Sequence, residues 1–417
     1  MKKRNLVFTV LFCLFLLGPA GVFVADKVGI DLPGWLTAQD SRYLSGGIEE
    51  ASVGRSMSVE GFGTKRLQDA IEVKIGNNVP MKATALLANA ALQCSAIGCS
   101  NMLFKWDCYP TYYGSSKLYI PDSNALSRMP FQKPQDRTAA YLDSVRLINN
   151  VAESYPHKRF LIYVPDYASV AQTNPAVPLV SQGIMSVSQL VEMGKEELTA
   201  DNVEIIGHEY VSLEEYYQKH YTTDHHWNGF GCIDAFKDIA YELNYVSCVA
   251  DVGSTIEPSG QVMNGSNSRL GLKLLNEQIK EPGFDLSNVR LTEGASAPVL
   301  TGDVKLLESK PMEEEFDFYH AWYGKGGLQA HNETMEAGDK VLMVGDSYTY
   351  SLRWLMATAC KELKQVPDFV DGRPKVLERS GMTLKRHLDE FDADTVMFVA
   401  ASNDYGQMAT VYPGYFD

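Results

Sequence analysis

From about residue 138 onward, short unbroken apolar runs alternate with stretches of helical spacing. Residues 138–155 bring Tyr141, Val145, Ile148 and Ala152 to one face of a helix. Residues 159–165, RFLIYVP, read as a buried strand that proline ends, and residues 202–206, NVEII, as a second. A helix over 230–243 turns Ile233, Phe236, Ile239 and Ala240 inward. KVLMV at 340–344 is a third strand, stopped by Gly345 and followed by a helix over 352–363, and TVMFVA at 395–400 is a fourth strand. Strands without polar alternation, separated by helices, predict a mainly parallel sheet covered on both faces, hence a three-layer α/β/α sandwich. Residues 67–94 are mixed but helical in tendency, with 83–92 the best helix former. A Tyr/Pro/Gly-rich loop is expected over 106–119, and long loops or a small excursion from the sheet over 250–335.

The N-terminus changes the picture. Met1-Lys2-Lys3-Arg4 precedes an uncharged, mostly apolar stretch over residues 6–25. A basic head on such a segment reads as an export signal, and about 20 apolar residues are also enough to cross a bilayer as a helix. The expected organisation is a signal peptide or membrane anchor (1–25), a lead-in (26–135) whose first part, 26–65, is Gly- and Ser-rich, and a main α/β domain (136–417). With 52 acidic against 37 basic residues, the formal charge is -15, which excludes a typical nucleic-acid binder because that requires a concentrated basic face. Export permits disulfides. Cys94, Cys99 and Cys108 cluster, Cys232 and Cys248 are close enough in sequence to bridge, and Cys360 stands apart; buried free thiols fit equally well, and no zinc spacing appears.

Two stretches carry chemistry. VGDSY at 344–348 runs from a strand through Gly345 into a helix, which puts the Ser347 hydroxyl near unpaired backbone N–H groups. Such a turn can present a nucleophile and hold an oxyanion, or Asp346 or Ser347 can simply cap the helix. The other stretch is TTDHHWNGFG at 222–231. Asp224 can fix the tautomer of His226, leaving the far ring nitrogen to take a proton from serine. Asp224, His225 and His226 are also legitimate zinc ligands, and the same residues suit a polar capping turn. Ser347 with His226 and Asp224 completes the inventory for acyl transfer, with His225 expected to point elsewhere.

The segments YYQKHYTTDHHWNGFGCIDAFKDIAYELN and GDKVLMVGDSYTYSLRWLM resemble the DHHW family of bacterial exported proteins. That family is similar to the SGNH-hydrolase-like alginate O-acetyltransferases, in which the Asp-x-His-Trp motif precedes the serine block, and the likeness spans roughly residues 136–417. It implies an SGNH-hydrolase-like, flavodoxin-like sandwich with Ser347 as nucleophile, His226 as base and Asp224 as orienter, and no cofactor. Gly345, Tyr348, Trp227 and Asn403 are the candidate oxyanion or substrate contacts, with Trp227 expected to pack and Asn403, in ASNDYG, equally suited to an Asx-turn. The implied activity is an exported O-acetyltransferase or acetylesterase on a cell-surface or secreted polysaccharide, alongside a membrane-bound acyltransferase. Trp322, Tyr323, Tyr348 and Tyr350 are available to stack on sugar faces or to pack. A non-catalytic carbohydrate-binding scaffold and a metal-dependent hydrolase are the alternatives.

Overall fold

Alternate side chains of an extended strand point to opposite faces, so an unbroken apolar strand needs two cores. The computed structural model supplies both. It describes residues 2–33, 36, 57–58, 65–77, 79–111, 117–128, 134–166, 185–245, 327–366 and 383–402, with 255–304 and 405–416 in discontinuous pieces.

The chain divides into two units. The first runs through Lys105, with residues 268–275 and 310–317 added. Among its described residues are the helices α1 (Lys2–Lys27), α2 (Arg66–Asn77) and α3 (Lys82–Phe104). Helix α1 covers the expected leader and contains Pro19. Among the described residues no helix is long and apolar enough to cross a membrane; the side chains of Leu6, Leu11, Leu14, Phe15 and Leu16 lie outside that description.

The second unit begins at Trp106. A small antiparallel sheet of β1 (Tyr109–Pro110), β2 (Lys117–Ile120) and β3 (Ala125–Arg128) replaces part of the expected Tyr/Pro/Gly loop. Next come α4 (Pro134–Ser154), β4 (Arg159–Val164), α5 (Val187–Glu196), β5 (Val203–Gly207), α6 (Leu213–Lys219), α7 (Gly229–Glu242) and a short turn of helix, α8 (Ser266–Leu270). Of α8, only Ser266 and Asn267 belong to this unit. The chain continues through β6 (Val289–Gly294), β7 (Leu328–Asn332), β8 (Lys340–Gly345), α9 (Thr349–Ala359), β9 (Glu362–Val366), α10 (Leu384–Phe391) and β10 (Thr395–Val399).

Seven of these strands form one sheet in the order β6-β7-β9-β8-β10-β4-β5. The β9-β8-β10-β4-β5 part is parallel, whereas β6 and β7 add antiparallel strands at one edge. On one face Leu161, Tyr163, Val341, Met343, Met397 and Val399 pack with α7 and α9. On the other, Phe160, Ile162, Leu342, Val344, Val396 and Phe398 pack with α4, α5 and α10, where Tyr141, Val145, Ile148 and Ala152 are fully buried. Each fully buried aliphatic side chain stabilises the fold by about 1.5–3 kcal/mol relative to an exposed one.

Two expectations need correction. The helix after β8 spans Thr349–Ala359, and Glu362 starts a strand, because ELKQV alternates in burial where continued helical spacing was read. The region read as loops over 250–335 supplies β6 and β7, which LQAHN at 328–332 betrays only by a period of two. The pairs β4–α5–β5 and β8–α9–β9 step away from β10 in opposite directions, with α5 and α9 on opposite faces. In open α/β sheets, ligands collect at the carboxyl ends of the strands where the order reverses; here those ends are Gly345 of β8 and Val399 of β10.

Candidate active site

Gly345 ends β8 where it runs beside β10, and a Cβ there would lie 1.8 Å from the Val399 carbonyl oxygen. Only glycine lets the two strands approach this closely before the chain turns. Asp346 then ties the turn down. Its Oδ1 accepts the Tyr348 N–H at 2.9 Å, and its Oδ2 accepts the Ala401 N–H just beyond β10 at 2.7 Å. Its carbonyl accepts the Thr349 N–H at 3.0 Å, while the Asp346 N–H donates to Val399 O at 3.2 Å. Of the N–H groups of residues 346–349, only that of Ser347 has no acceptor among the described residues. The turn is thus held on both sides by Asp346 and presents a serine just before α9.

The histidine loop lies between α6 and α7 and is closed by an antiparallel bridge of His220 with Trp227. Asn228 caps α7 through Oδ1, which accepts the Phe230 N–H at 2.9 Å. Within the loop, the Nδ1–H of His226 donates to Asp224 Oδ1 at 2.6 Å, and Nε2 lies 2.6 Å from Ser347 Oγ across 121 sequence positions. Ser347 is 6% exposed and His226 3%. Asp224 Oδ1 also accepts the N–H groups of His225 and His226, at 2.7 and 3.2 Å, and Oδ2 accepts the Ser266 N–H at 2.6 Å. Burial pushes the Asp224 acid up, but the charges of His225 and His226 and the bonds from His226 and Ser266 outweigh it. They hold the acid well below the usual carboxylate range.

His225 lies against the same acid and base: its Nδ1 is 2.9 Å from Ser266 Oγ and 3.2 Å from Asp224 Oδ1, and its ring lies 3.9 Å from that of His226, centroid to centroid. It is thus part of the same cluster. Trp227 is buried, and its indole N–H donates to Ser351 Oγ at 2.6 Å, one turn after the serine. Tyr348 packs edge-on to Trp227 at 4.8 Å and donates its hydroxyl to the His225 carbonyl at 2.5 Å. These two ties lock the loops together, and both rings are consumed by packing. Tyr350 is buried as well, so neither tyrosine offers a face to a sugar. Trp322, Tyr323 and Asn403 lie outside the described residues.

Among the described residues, Asp224, His225 and His226 are the one cluster whose ligand atoms, within 4.8 Å of one another, could hold a metal ion. An ion held by His226 would displace its bond to Asp224 or to Ser347. Cys94, Cys99, Cys108, Cys232 and Cys360 are free thiols. Cys248, the other member of the expected pair with Cys232, lies outside the described residues. Sequence patterns did not single out Ser266, Ser351 or Glu277 as parts of this site. No spacing signal marks them, because they reach it only through tertiary contacts.

No protein-family model matches the chain, and no curated protein matches it. Solved structures do. A DHHW family protein from Eubacterium siraeum is 12% identical with a TM-score of 0.50, the match covering 73% of this chain and 98% of that one. PatB1 of Bacillus cereus is 12% identical at a TM-score of 0.45, covering 71% and 97%. The O-acetyltransferase domain of Pseudomonas putida AlgJ is 11% identical at 0.40, covering 74% and 96%. The chain is similar in fold to the DHHW family protein, a mixed α/β architecture with a largely parallel sheet between helices.

Proposed function

We propose that this protein is an exported serine acyltransferase or esterase that moves O-acetyl groups on a cell-surface or secreted polysaccharide. The reading is carried by one observation, the relay in which Asp224, His226 and Ser347 are joined by two 2.6 Å contacts. His226 Nε2 takes the Ser347 proton as Oγ attacks the ester carbonyl, and the Ser347 N–H faces the developing oxyanion. His226 returns the proton to the departing alcohol, leaving acetyl on Oγ. An incoming sugar hydroxyl gives its proton to His226 and takes the acetyl group; water in its place yields acetate. Asp224 keeps Nδ1 protonated and steadies the imidazolium. The apolar, basic-headed α1 supports export, with the helix as leader or anchor. A carbohydrate polymer is the acceptor, and a membrane-bound acyltransferase is the proposed acetyl source.

The test is turnover of p-nitrophenyl acetate by the full chain, with acetyl-enzyme detected by intact mass. Ser347→Ala should fold, lose the mass adduct and slow turnover by about 10⁴-fold or more. Equal rates in the two proteins overturn the acyl-enzyme.

A further inference from the structure

The chain after α7, within the stretch expected as long loops or a small excursion, packs behind the acid–base half of the site. Met263 pairs with Glu277 in a two-residue antiparallel ladder, and the chain between them brings Ser266 to Asp224. Gly265 permits this approach, since a Cβ there would lie 2.3 Å from the Thr223 carbonyl oxygen and 2.7 Å from Asp224 Cβ. The carboxylate of Glu277 faces the two threonines that precede Asp224. Its Oε1 accepts the N–H and the hydroxyl of Thr223, both at 2.6 Å. Its Oε2 accepts the N–H of Thr222 at 2.9 Å and its hydroxyl at 3.1 Å. Thr223 Oγ1 passes the connection on by accepting the Gly265 N–H at 3.2 Å.

We propose that Glu277 is a positioning residue that sets the depth and angle of the Asp224–His226 pair by gripping Thr222 and Thr223 through four hydrogen bonds. Its effect on rate rests on the acyl-enzyme reading above. The chemistry selects a carboxylate here. Four donors converge on two oxygens, and only an ionised acid offers that many acceptor sites without a hydrogen of its own. Burial outweighs the bonds from Thr223 and Thr222 and leaves this acid above the usual carboxylate range, so the grip rests on the geometry of the four bonds. A glutamine would turn an N–H₂ group toward the backbone N–H of one threonine, setting donor against donor. The hydroxyl can rotate to accept, but the backbone cannot, so the loop must shift. The bonds that follow leave little slack, because Asp224 comes next in the chain and is itself held by four donors, three on Oδ1 and one on Oδ2.

The experiment compares wild type with Glu277→Gln, Glu277→Asp and Thr223→Val, with Ser347→Ala as control. It uses p-nitrophenyl acetate kinetics and the low-field proton resonance of the short Asp224–His226 bond. Glu277→Gln should lower kcat by about 10- to 100-fold, the range expected for a misplacement under about 1 Å, with KM within about twofold. The His226 Nδ1 proton should shift or broaden in Glu277→Gln, less in Glu277→Asp and Thr223→Val, and stay in place in Ser347→Ala. Unchanged kcat and an unmoved resonance overturn the proposal. So does a loss of activity that merely tracks the unfolded fraction in denaturation. Should Glu277→Gln not fold, Thr223→Val decides by the same two signals. If wild type shows the resonance but no turnover, its loss in Glu277→Gln alone keeps the positioning role while the acyl-enzyme reading fails. Absence of both signals from wild type overturns both.

Discussion

Asp224→Asn removes one charge and two lone-pair sites from a carboxylate with no acceptor to spare. The amide has two orientations. With its oxygen in the Oδ1 position it keeps the bonds from His226 Nδ1–H and from the N–H groups of His225 and His226, and its N–H₂ faces the Ser266 N–H. Flipped, it sets N–H₂ against all three of those donors and satisfies only Ser266. One conflict costs about 1–3 kcal/mol and three cost more, so the first orientation wins and the His226 tautomer is preserved. What disappears is the charge opposite the imidazolium. For unit charges about 4 Å apart at an effective dielectric of about 20, that attraction is about 4 kcal/mol, or roughly a thousandfold in rate. The expected variant is folded, less stable by about 1–3 kcal/mol and slower in kcat by about 10³-fold. Urea denaturation and p-nitrophenyl acetate kinetics measure the two. A kcat within tenfold of wild type would refute the role given to the carboxylate, and a loss equal to that of Ser347→Ala would refute the preserved tautomer.

Gly345→Ala places a methyl 1.8 Å from the Val399 carbonyl and should cost about 3 kcal/mol or more while displacing Ser347; thermal melting and turnover would both fall, and an unchanged melting curve would contradict the packing. His220 is buried and stacked on Tyr216 at 4.0 Å, and burial pushes its imidazole down to about 3. A depressed histidine contributes stability that is full above the ordinary value of 6.5 and is lost as pH falls from there toward 3. At pH 5 the loss is about 2 kcal/mol. His220→Gln should remove about 2 kcal/mol of the fall in unfolding free energy between pH 7 and 5, measured by urea denaturation at each pH, while His387, pushed the same way to about 4, is common to both proteins. An equal slope in both would place His220 in water.

Much of the sheet was legible because local composition expresses it. RFLIYV, KVLMV and TVMFV can only be strands buried on both faces, and Tyr141, Val145, Ile148 and Ala152 repeat at a helical interval because one face meets the sheet. The edge strands β6 and β7 escaped notice. LQAHN and VRLTEG alternate too weakly to stand out, and they become strands by pairing with β9 and with each other. Ser347, His226 and Asp224 stood out because their neighbours advertise chemistry: a glycine at a strand end, adjacent histidines, and an acid two residues away.

The sequence by itself determined which segments must be buried on two faces, and which side chains could pass a proton to one another. Tertiary structure alone decided that Trp227 reaches Ser351, that Tyr348 donates to the His225 carbonyl, that Ser266 donates to Asp224 and that Glu277 accepts from Thr222 and Thr223. Burial and spacing are properties of a segment and leave a local trace. A hydrogen bond between residues dozens of positions apart depends on how the whole chain returns on itself, and no short stretch records it.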